Sequence, residues 1–396
     1  GLITLNLWAP DFLDPYAEPP EQEEEEEEEG NYEAENGKES NTPIFNEQLT
    51  TFNHRHQDMQ VQVTVKKATG PGGLYDLLST AADAAPAVLP DLIILNPTDL
   101  HAAIQGGYVQ PLPATLPEDD YFPFALAGQR EGARNYGFPY VVQADHMVYR
   151  QGVSATSPLT WTSVLSKGYT MLWPAAPLDK LADDALLAAY LSTGGAVMDE
   201  NGDPTLEREN LEALYDFFFQ LMARDQIDPE RLLNQPDATA CWEAYQERAA
   251  QVSAAPAGRY WADPPANTQP SWVPTPEGDP AGIAHVWTIA LVTTNPARQA
   301  AAMTLAQWLT APEQMALLTR SIEMLPPRPE AVQLWGLLPE EAAFLEEFLS
   351  AASPPLRTSI DKPVRRALQA GLRALLTGEV ETPAAAAAHA LGNLRQ

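Results

Sequence analysis

The opening segment "LITLNLW", residues 2–8, puts Ile3, Leu5 and Leu7 on one face, with Leu2 and Trp8 making the other partly apolar. That pattern predicts a strand buried on both sides at one end. In "TPIFNEQLTTFNHRH", Ile44, Phe45, Leu49 and Phe52 recur at helical spacing, with Asn41 or Thr42 as the cap and Pro43 in the first turn. "MQVQVTV" then alternates strictly at Val61, Val63 and Val65, as a strand does. "LYDLLSTAADAA" reads as a second helix, and "DLIIL", residues 91–95, as a short central strand of a parallel sheet. "TDLHAAIQGGY" starts a third helix that stops at a glycine pair. This β-α-β-α-β-α order predicts a doubly wound α/β sheet with right-handed crossovers. Ligands of such sheets sit at the carboxyl ends of the strands, here residues 8–11 and 96–99.

The middle of the chain changes character. "YGFPYVVQADHMVYR" reads as two short extended pieces around residues 143–146, and "PLTWTSVL" starts a helix after Pro158. "RENLEALYDFFFQLMARD" is a long amphipathic helix using Leu211, Leu214, Tyr215, Phe218, Leu221 and Met222. "QPSWVPTPEGDPAG" is a turn region, "IAHVWTIALVTT" a strand, and "NPARQAAAMTLAQWLT" a helix capped by Asn295 with Pro296 at its first position. From Pro363 onward the tail reads as Ala/Leu/Arg helix, broken at Gly378 and Pro383.

With 396 residues, the chain exceeds one compact core and predicts two domains. Its net charge of −31 makes nucleic acid and anionic membrane surfaces poor partners. Residues 18–39 hold twelve glutamates, seven of them consecutive at 23–29, and one lysine. Such a stretch cannot bury surface and reads as a solvated insert, 18–40, rooted beyond the first strand. The single cysteine, Cys241, excludes an intramolecular disulfide and reads as a small buried hydrophobe. No metal site and no cofactor is expected. The sequence opens at Gly1 directly on a strand, as a mature or trimmed chain would.

Enzymatic motifs are lacking. "GPGG" at residues 70–73 has no Gly-Lys-Ser/Thr ending, and no G-x-S-x-G, H-E-x-x-H or EF-hand loop occurs. "DENGDPTLERE" near Asp199 fails calcium-ligand spacing and reads as a turn before a helix. A glycosidase stays as a remote alternative, since no pair of carboxylates is marked out for it.

Taken in order, these segments resemble the maltose-binding-like extracellular solute-binding proteins of ABC importers. The resemblance spans nearly the whole chain. It rests on an opening strand ending in Trp, "FNEQLTTFNHRHQDMQVQVTV", "LPDLIILNPTDLHAAIQGGYVQPL", "YGFPYVVQADHMVYR", "LTWTSVL", "GGAVMDENGDPTLERENLEALYDFF", "VPTPEGDPAGIAHVWTIALVTTNPARQAAAMTLAQWLTAPEQ" and "MLPPRP". It implies the type II periplasmic-binding-protein-like fold: two doubly wound lobes joined by crossing hinge strands, with the ligand cleft between them. Lobe one would take residues 1–110 plus 275–315, and lobe two 111–274 plus 316–396. Hinge closure on the ligand is the implied motion. The resemblance further implies a non-enzymatic, exported, often lipid-anchored monomer that passes a sugar to ABC permease subunits.

Sugar recognition needs flat apolar faces for ring C–H groups and planar polar groups for hydroxyls. Of nine tryptophans, Trp8, Trp173, Trp261 and Trp287 fall where the resemblance places the cleft, and stacking and ordinary packing are both open for each. Trp161, Trp242, Trp308 and Trp335 sit in helical patterns and read as core, with Trp272 undecided. The polar candidates are Asp11, Asn96, Asp99, Gln143, Asp145 and Arg328, with helix capping the rival role for Asp11, Asn96 and Asp99. Tyr140 and Tyr260 are further stacking candidates, and Gly194 and Gly195 allow a close backbone approach or a turn. His146 reads as a structural histidine. A cationic or other small non-sugar solute on the same fold is the alternative ligand, the cationic case motivated by the acidity of the chain.

Overall fold

The computed structural model describes residues 1–13, 43–152 and 159–395. The acidic insert 18–40 and the expected caps Asn41 and Thr42 lie outside the described residues. Ten strands are found among the described residues: β1 (Ile3–Pro10), β2 (Met59–Lys66), β3 (Leu92–Leu95), β4 (Arg130–Glu131), β5 (Arg134–Asn135), β6 (Gly137–Arg150), β7 (Met171–Leu172), β8 (Val252–Pro256), β9 (Thr268–Ser271) and β10 (Ala284–Leu291). The main sheet runs β2-β1-β3-β10-β6-β8-β7, with β9 also on β6, while β4 and β5 form a separate hairpin. β1, β2 and β3 are parallel, and β10 enters antiparallel between β3 and β6.

β6 joins the two halves. Residues up to Ala144 pair with β10, and residues 145–150 pair with β8 and β9. Two short extended pieces were expected here; one continuous strand of 14 residues is found. Its polar interior, residues 143–146, stays extended because the ladder passes from β10 to β8 at that point. Two wound halves and the crossing strand make a two-lobed arrangement of the kind the resemblance implied.

Local sequence explains several helices. Asn295 accepts hydrogen bonds from the Ala297 and Arg298 amides and caps Pro296–Leu309. Thr160 and Ser163 form a reciprocal capping box at Trp161–Lys167. Near Asp199, one carboxylate oxygen accepts from the Asn201 and Asp203 amides, which makes the segment a turn. The last long helix, Thr358–Thr377, begins before Pro363 and ends at Gly378 in the left-handed region, φ 74°. It lies so close to Arg208–Ala223 that a Cβ on Gly371 would fall 2.2 Å from the Tyr215 hydroxyl. That hydroxyl donates to the Leu368 carbonyl.

Arg298 reaches from its helix to Asp91 at the head of β3, with Nε–Oδ1 of 2.7 Å and Nη2–Oδ2 of 2.5 Å. Asp91 also accepts from the Asn6 amide, so one buried carboxylate ties β1, β3 and the helix together. The residue 315 boundary expected between lobes falls within Pro312–Ser321. That helix touches Ile44–Arg55, where Gln48 Nε2 donates to the Gln314 carbonyl at 2.8 Å.

Candidate functional site

Where β6 leaves β10, alternation turns Gln143 and Asp145 toward one cavity of about 380 Å³. A second cavity of about 480 Å³ shares Asp184, Asp237 and His285 with the first. The elements explain the lining. Asp183 caps Asp184–Leu191 by accepting from the Ala185 amide, and Asp237 caps Ala238–Gln246 by accepting from the Ala240 amide. Both helices start at the carboxyl-end side of β7 and β8, where ligands of wound sheets bind. β10 supplies His285, whose Cα pairs with that of Gln143. Gly258 admits the Glu323 backbone, because a Cβ there would lie 2.1 Å from the Glu323 carbonyl oxygen. That approach brings Glu323 to the cavity.

The basic groups are already engaged. Asp184 receives His285 Nε2 at 2.7 Å on one oxygen and Arg365 Nη2 at 2.8 Å on the other. Arg365 also donates to Asp361 at 2.9 Å and to the Ala182 carbonyl at 2.8 Å. Burial would raise the Asp184 carboxyl, but His285 and Arg365 outweigh it and hold the group well below the usual range. Burial opposes the charge on His285 as well, yet Asp184 raises it overall.

Two neighbouring acids, Asp183 and Asp145, shift the opposite way. Burial first, and then the charge of Asp184, push Asp183 up to about 7. Burial followed by Asp183, Asp184 and Asp237 raises Asp145 well above an ordinary carboxyl. Burial and these same acids also push up the Cys241 thiol, which is fully buried and suited to packing.

Of the residues expected at the site, Gln143 and Asp145 line the cavity, and Trp287 meets Gln143. The Trp287 indole N–H donates to Gln143 Oε1 at 3.1 Å, which leaves the Gln143 amide donors without a partner among the described residues. Phe12 meets Trp287 edge-on at 4.9 Å, which brings the neighbouring, exposed Asp11 close to the crossing. Trp8 is half-buried on the other face of β1, packed against the cluster that includes Ile93 and Leu95.

The remaining candidates are used by the fold. Asn96 accepts from the Asp99 amide at 2.8 Å and donates to its carboxylate at 3.0 Å, so both serve the start of Pro97–Gln105. Burial nonetheless raises the Asp99 carboxyl, a shift the Asn96 hydrogen bond partly offsets. Trp173 and Trp261 are fully buried; Trp173 packs edge-on against Phe218, and Trp261 against Tyr260. Tyr140 is fully buried in β6, and Tyr260 donates from the core to the Thr268 carbonyl. None of these four presents a ring face to the cavities as they stand.

Arg328 donates to the Thr310 carbonyl, pairs with Asp120 at 3.4 Å and lies over the Tyr121 ring. Gly194 takes φ 81°, and Gly195 packs where a Cβ would meet Tyr190 at 2.5 Å, so both serve a turn. His146 is buried against Tyr260, Trp261, Phe344 and Phe348, in agreement with its structural reading. Sequence reasoning missed Asp183, Asp184, Asp237, His285 and Arg365. The available signal was an Asp preceding each of "ALLAAYL" and "ATACWEAY", an N-cap at a strand's carboxyl end.

Similar folds recur among solved structures. The chain aligns with "Maltose bound T. maritima MalE3" at 17% identity and TM-score 0.68, covering 99% of each chain. For the sugar-binding protein MalE of Xanthomonas citri, identity is 16% and TM-score 0.73, over 99% of this chain and 96% of that one. For the cyclic alpha-maltosyl-1,6-maltose binding protein of Arthrobacter globiformis, identity is 14% and TM-score 0.71, over 100% and 98%. Identities this low speak to the fold alone. No curated protein matches the sequence. Among the described residues no helix is long and apolar enough to cross a membrane. The family profile described as "Bacterial extracellular solute-binding protein" matches residues 47–343, most of the chain. The chain therefore belongs to the bacterial extracellular solute-binding proteins, a family of binding proteins rather than enzymes.

Proposed function

We propose that the protein captures a sugar or oligosaccharide in the cleft between its lobes and delivers it to the permease of an ABC importer. The observation that carries this reading is the pair of adjoining cavities at the strand crossing, lined by planar polar groups. Carboxylates, amides and a guanidinium suit recognition of vicinal hydroxyls, and the three similar structures are described as maltose- or sugar-binding. Gln143, Asp145, Asp184, Asp237 and His285 are the ligand contacts this reading favours, with Trp287 holding Gln143 in place. The lobes are taken as residues 1–110 plus 275–315 and 111–274 plus 316–396, closing about the crossing strands. The protein acts as an exported monomer, anchored by lipid or free at the cell surface or in the periplasm.

Calorimetry and thermal shift with a panel of mono- and oligosaccharides test the reading. A bound sugar at a hundred times its Kd would stabilise the fold by about 2.7 kcal/mol. No shift with any saccharide, beside a clear shift with an unrelated solute class, would sink it.

A further inference from the structure

Several chain crossings meet beside the two cavities. β6 passes from β10 to β8 after Ala144. Next to it, the Ala284 amide donates to the Ser353 carbonyl and the Ser353 amide to the Gly282 carbonyl. His285 follows directly, as the second residue of β10, which runs on to pair with β3. On the lobe division proposed above, β10 belongs to lobe one, and the helices Asp184–Leu191 and Thr358–Thr377 belong to lobe two.

His285 Nε2 meets Asp184 Oδ2 at 2.7 Å, a side-chain link from β10 to the first residue of Asp184–Leu191. Arg365 holds the other Asp184 oxygen at 2.8 Å and Asp361 at 2.9 Å. Arg365 thus fixes the carboxylate within lobe two, and its free oxygen is offered to the crossing strand. Asp184 and His285 line both cavities, so the pair stands where they adjoin. Opening the lobes about the crossings draws β10 away from this carboxylate. A separation beyond about 3.5 Å ends a hydrogen bond, so a small rotation parts the pair.

We propose that His285 and Asp184 form a proton-dependent clasp that holds the ligand-free lobes together and releases them as the imidazole loses its proton. The charged groups around the ring are Asp184 and its neighbour Asp183 from one helix, and Arg365 and Asp361 from the other. Asp145, Asp237 and Glu323 line the cavity it shares with β6, the start of Ala238–Gln246 and the turn after Pro312–Ser321. Burial lowers the imidazole pKa, but the charge and hydrogen bond of Asp184 raise it overall, with Arg365 opposing and Asp361 assisting. Asp184 stays ionised, because His285 and Arg365 outweigh its burial. Once the lobes part, the ring returns toward an ordinary value of about 6.5. The clasped form therefore binds the proton more tightly than the open one. Its advantage is complete below about pH 6.5 and is lost as pH rises through the raised value. A neutral imidazole keeps a hydrogen bond about half as strong as the charge-assisted one.

The clasp does not depend on which solute binds, and its test uses none. Small-angle scattering of the ligand-free full chain between about pH 5.5 and 8.5 reads opening as a larger radius of gyration, while an NMR titration follows the His285 ring. The radius should rise with pH, its midpoint matching a His285 pKa above about 6.5. His285→Gln should keep the larger radius at every pH in the range. Asp183, pushed up to about 7, titrates in the same window but is common to both proteins. A parental radius that stays constant overturns the clasp. So does a His285 pKa at or below about 6.5, or a transition that survives in His285→Gln. Should His285→Gln not fold, the parent decides alone: scattering and His285 midpoints that differ overturn the proposal, and midpoints that coincide uphold it.

Discussion

His146 should make the protein sensitive to acid, and its replacement should remove that sensitivity. The imidazole is 1% exposed and enclosed by four aromatic rings, and neither ring nitrogen finds a hydrogen-bond partner among the described residues. Burial drives its pKa down to about 3, only partly offset by backbone groups of His146 and Met147. In the unfolded chain an imidazole titrates near 6.5. The unfolded state therefore binds the proton more tightly throughout the interval between. The stability tied to the neutral ring is complete above about pH 6.5 and is lost as pH falls toward 3. The full loss is about 5 kcal/mol, and about 3 kcal/mol of it has gone by pH 4.5. That is a large share of the ~5–15 kcal/mol typical of a folded domain.

His146→Leu removes the titration along with two unpaired polar atoms, at a packing cost of roughly 1.5 kcal/mol or less. Urea unfolding of both proteins at pH 8, 6.5, 5.5 and 4.5 measures the effect. Background carboxylates cancel when the two pH profiles are subtracted. The variant should be near parental stability at pH 8 and should lose about 3 kcal/mol less on going to pH 4.5. Parallel profiles would refute the argument, because His146 would then take up its proton without unfolding.

Removing the guanidinium by Arg298→Met should cost roughly 3 kcal/mol in urea unfolding, since the buried Asp91 is left with only the Asn6 amide. Gly371→Ala should destabilise by about 1–3 kcal/mol despite the better helix propensity of alanine. Tyr215→Phe in the same chain should recover part of that loss, because the clashing atom is the Tyr215 hydroxyl. Deleting residues 18–40 should leave ligand affinity within about tenfold, roughly 1.4 kcal/mol, by calorimetry; a larger loss would place the glutamates in contact with the ligand.

Much of the fold was legible because its signals are local. Strict alternation at Val61, Val63 and Val65 and the caps at Asn96 and Asn295 specify their elements within a few residues. β6 was less so, because its continuity depends on exchanging β10 for β8 as partner, and no neighbour in sequence records that exchange. The same limit applied to the tryptophans. Trp173 directly follows β7 and Trp261 lies in the short helix Ala257–Ala262 after β8, and long-range contacts made both of them core. Phe218 closes over one, and Tyr260, His146 and Phe344 enclose the other. Whether an aromatic ring is core or platform is a property of what arrives from elsewhere in the chain.

The charged lining follows a rule that sequence could have supplied. In a wound sheet, each helix returning from a strand begins at that strand's carboxyl end, so its N-terminus borders the cleft. Aspartate is among the best N-caps, and it also complements the positive end of the helix dipole. Asp183 and Asp237 are thus favoured by local structure at places where a ligand arrives. The helix ends hold these carboxylates at modest cost while each leaves an oxygen open. Asp145 has no helix end to support it: it sits in the crossing strand. Capping explains Asp183 and Asp237 without a ligand, but it does not explain Asp145. Its place in the lining comes from strand alternation, which turns it toward the same cavity as Gln143.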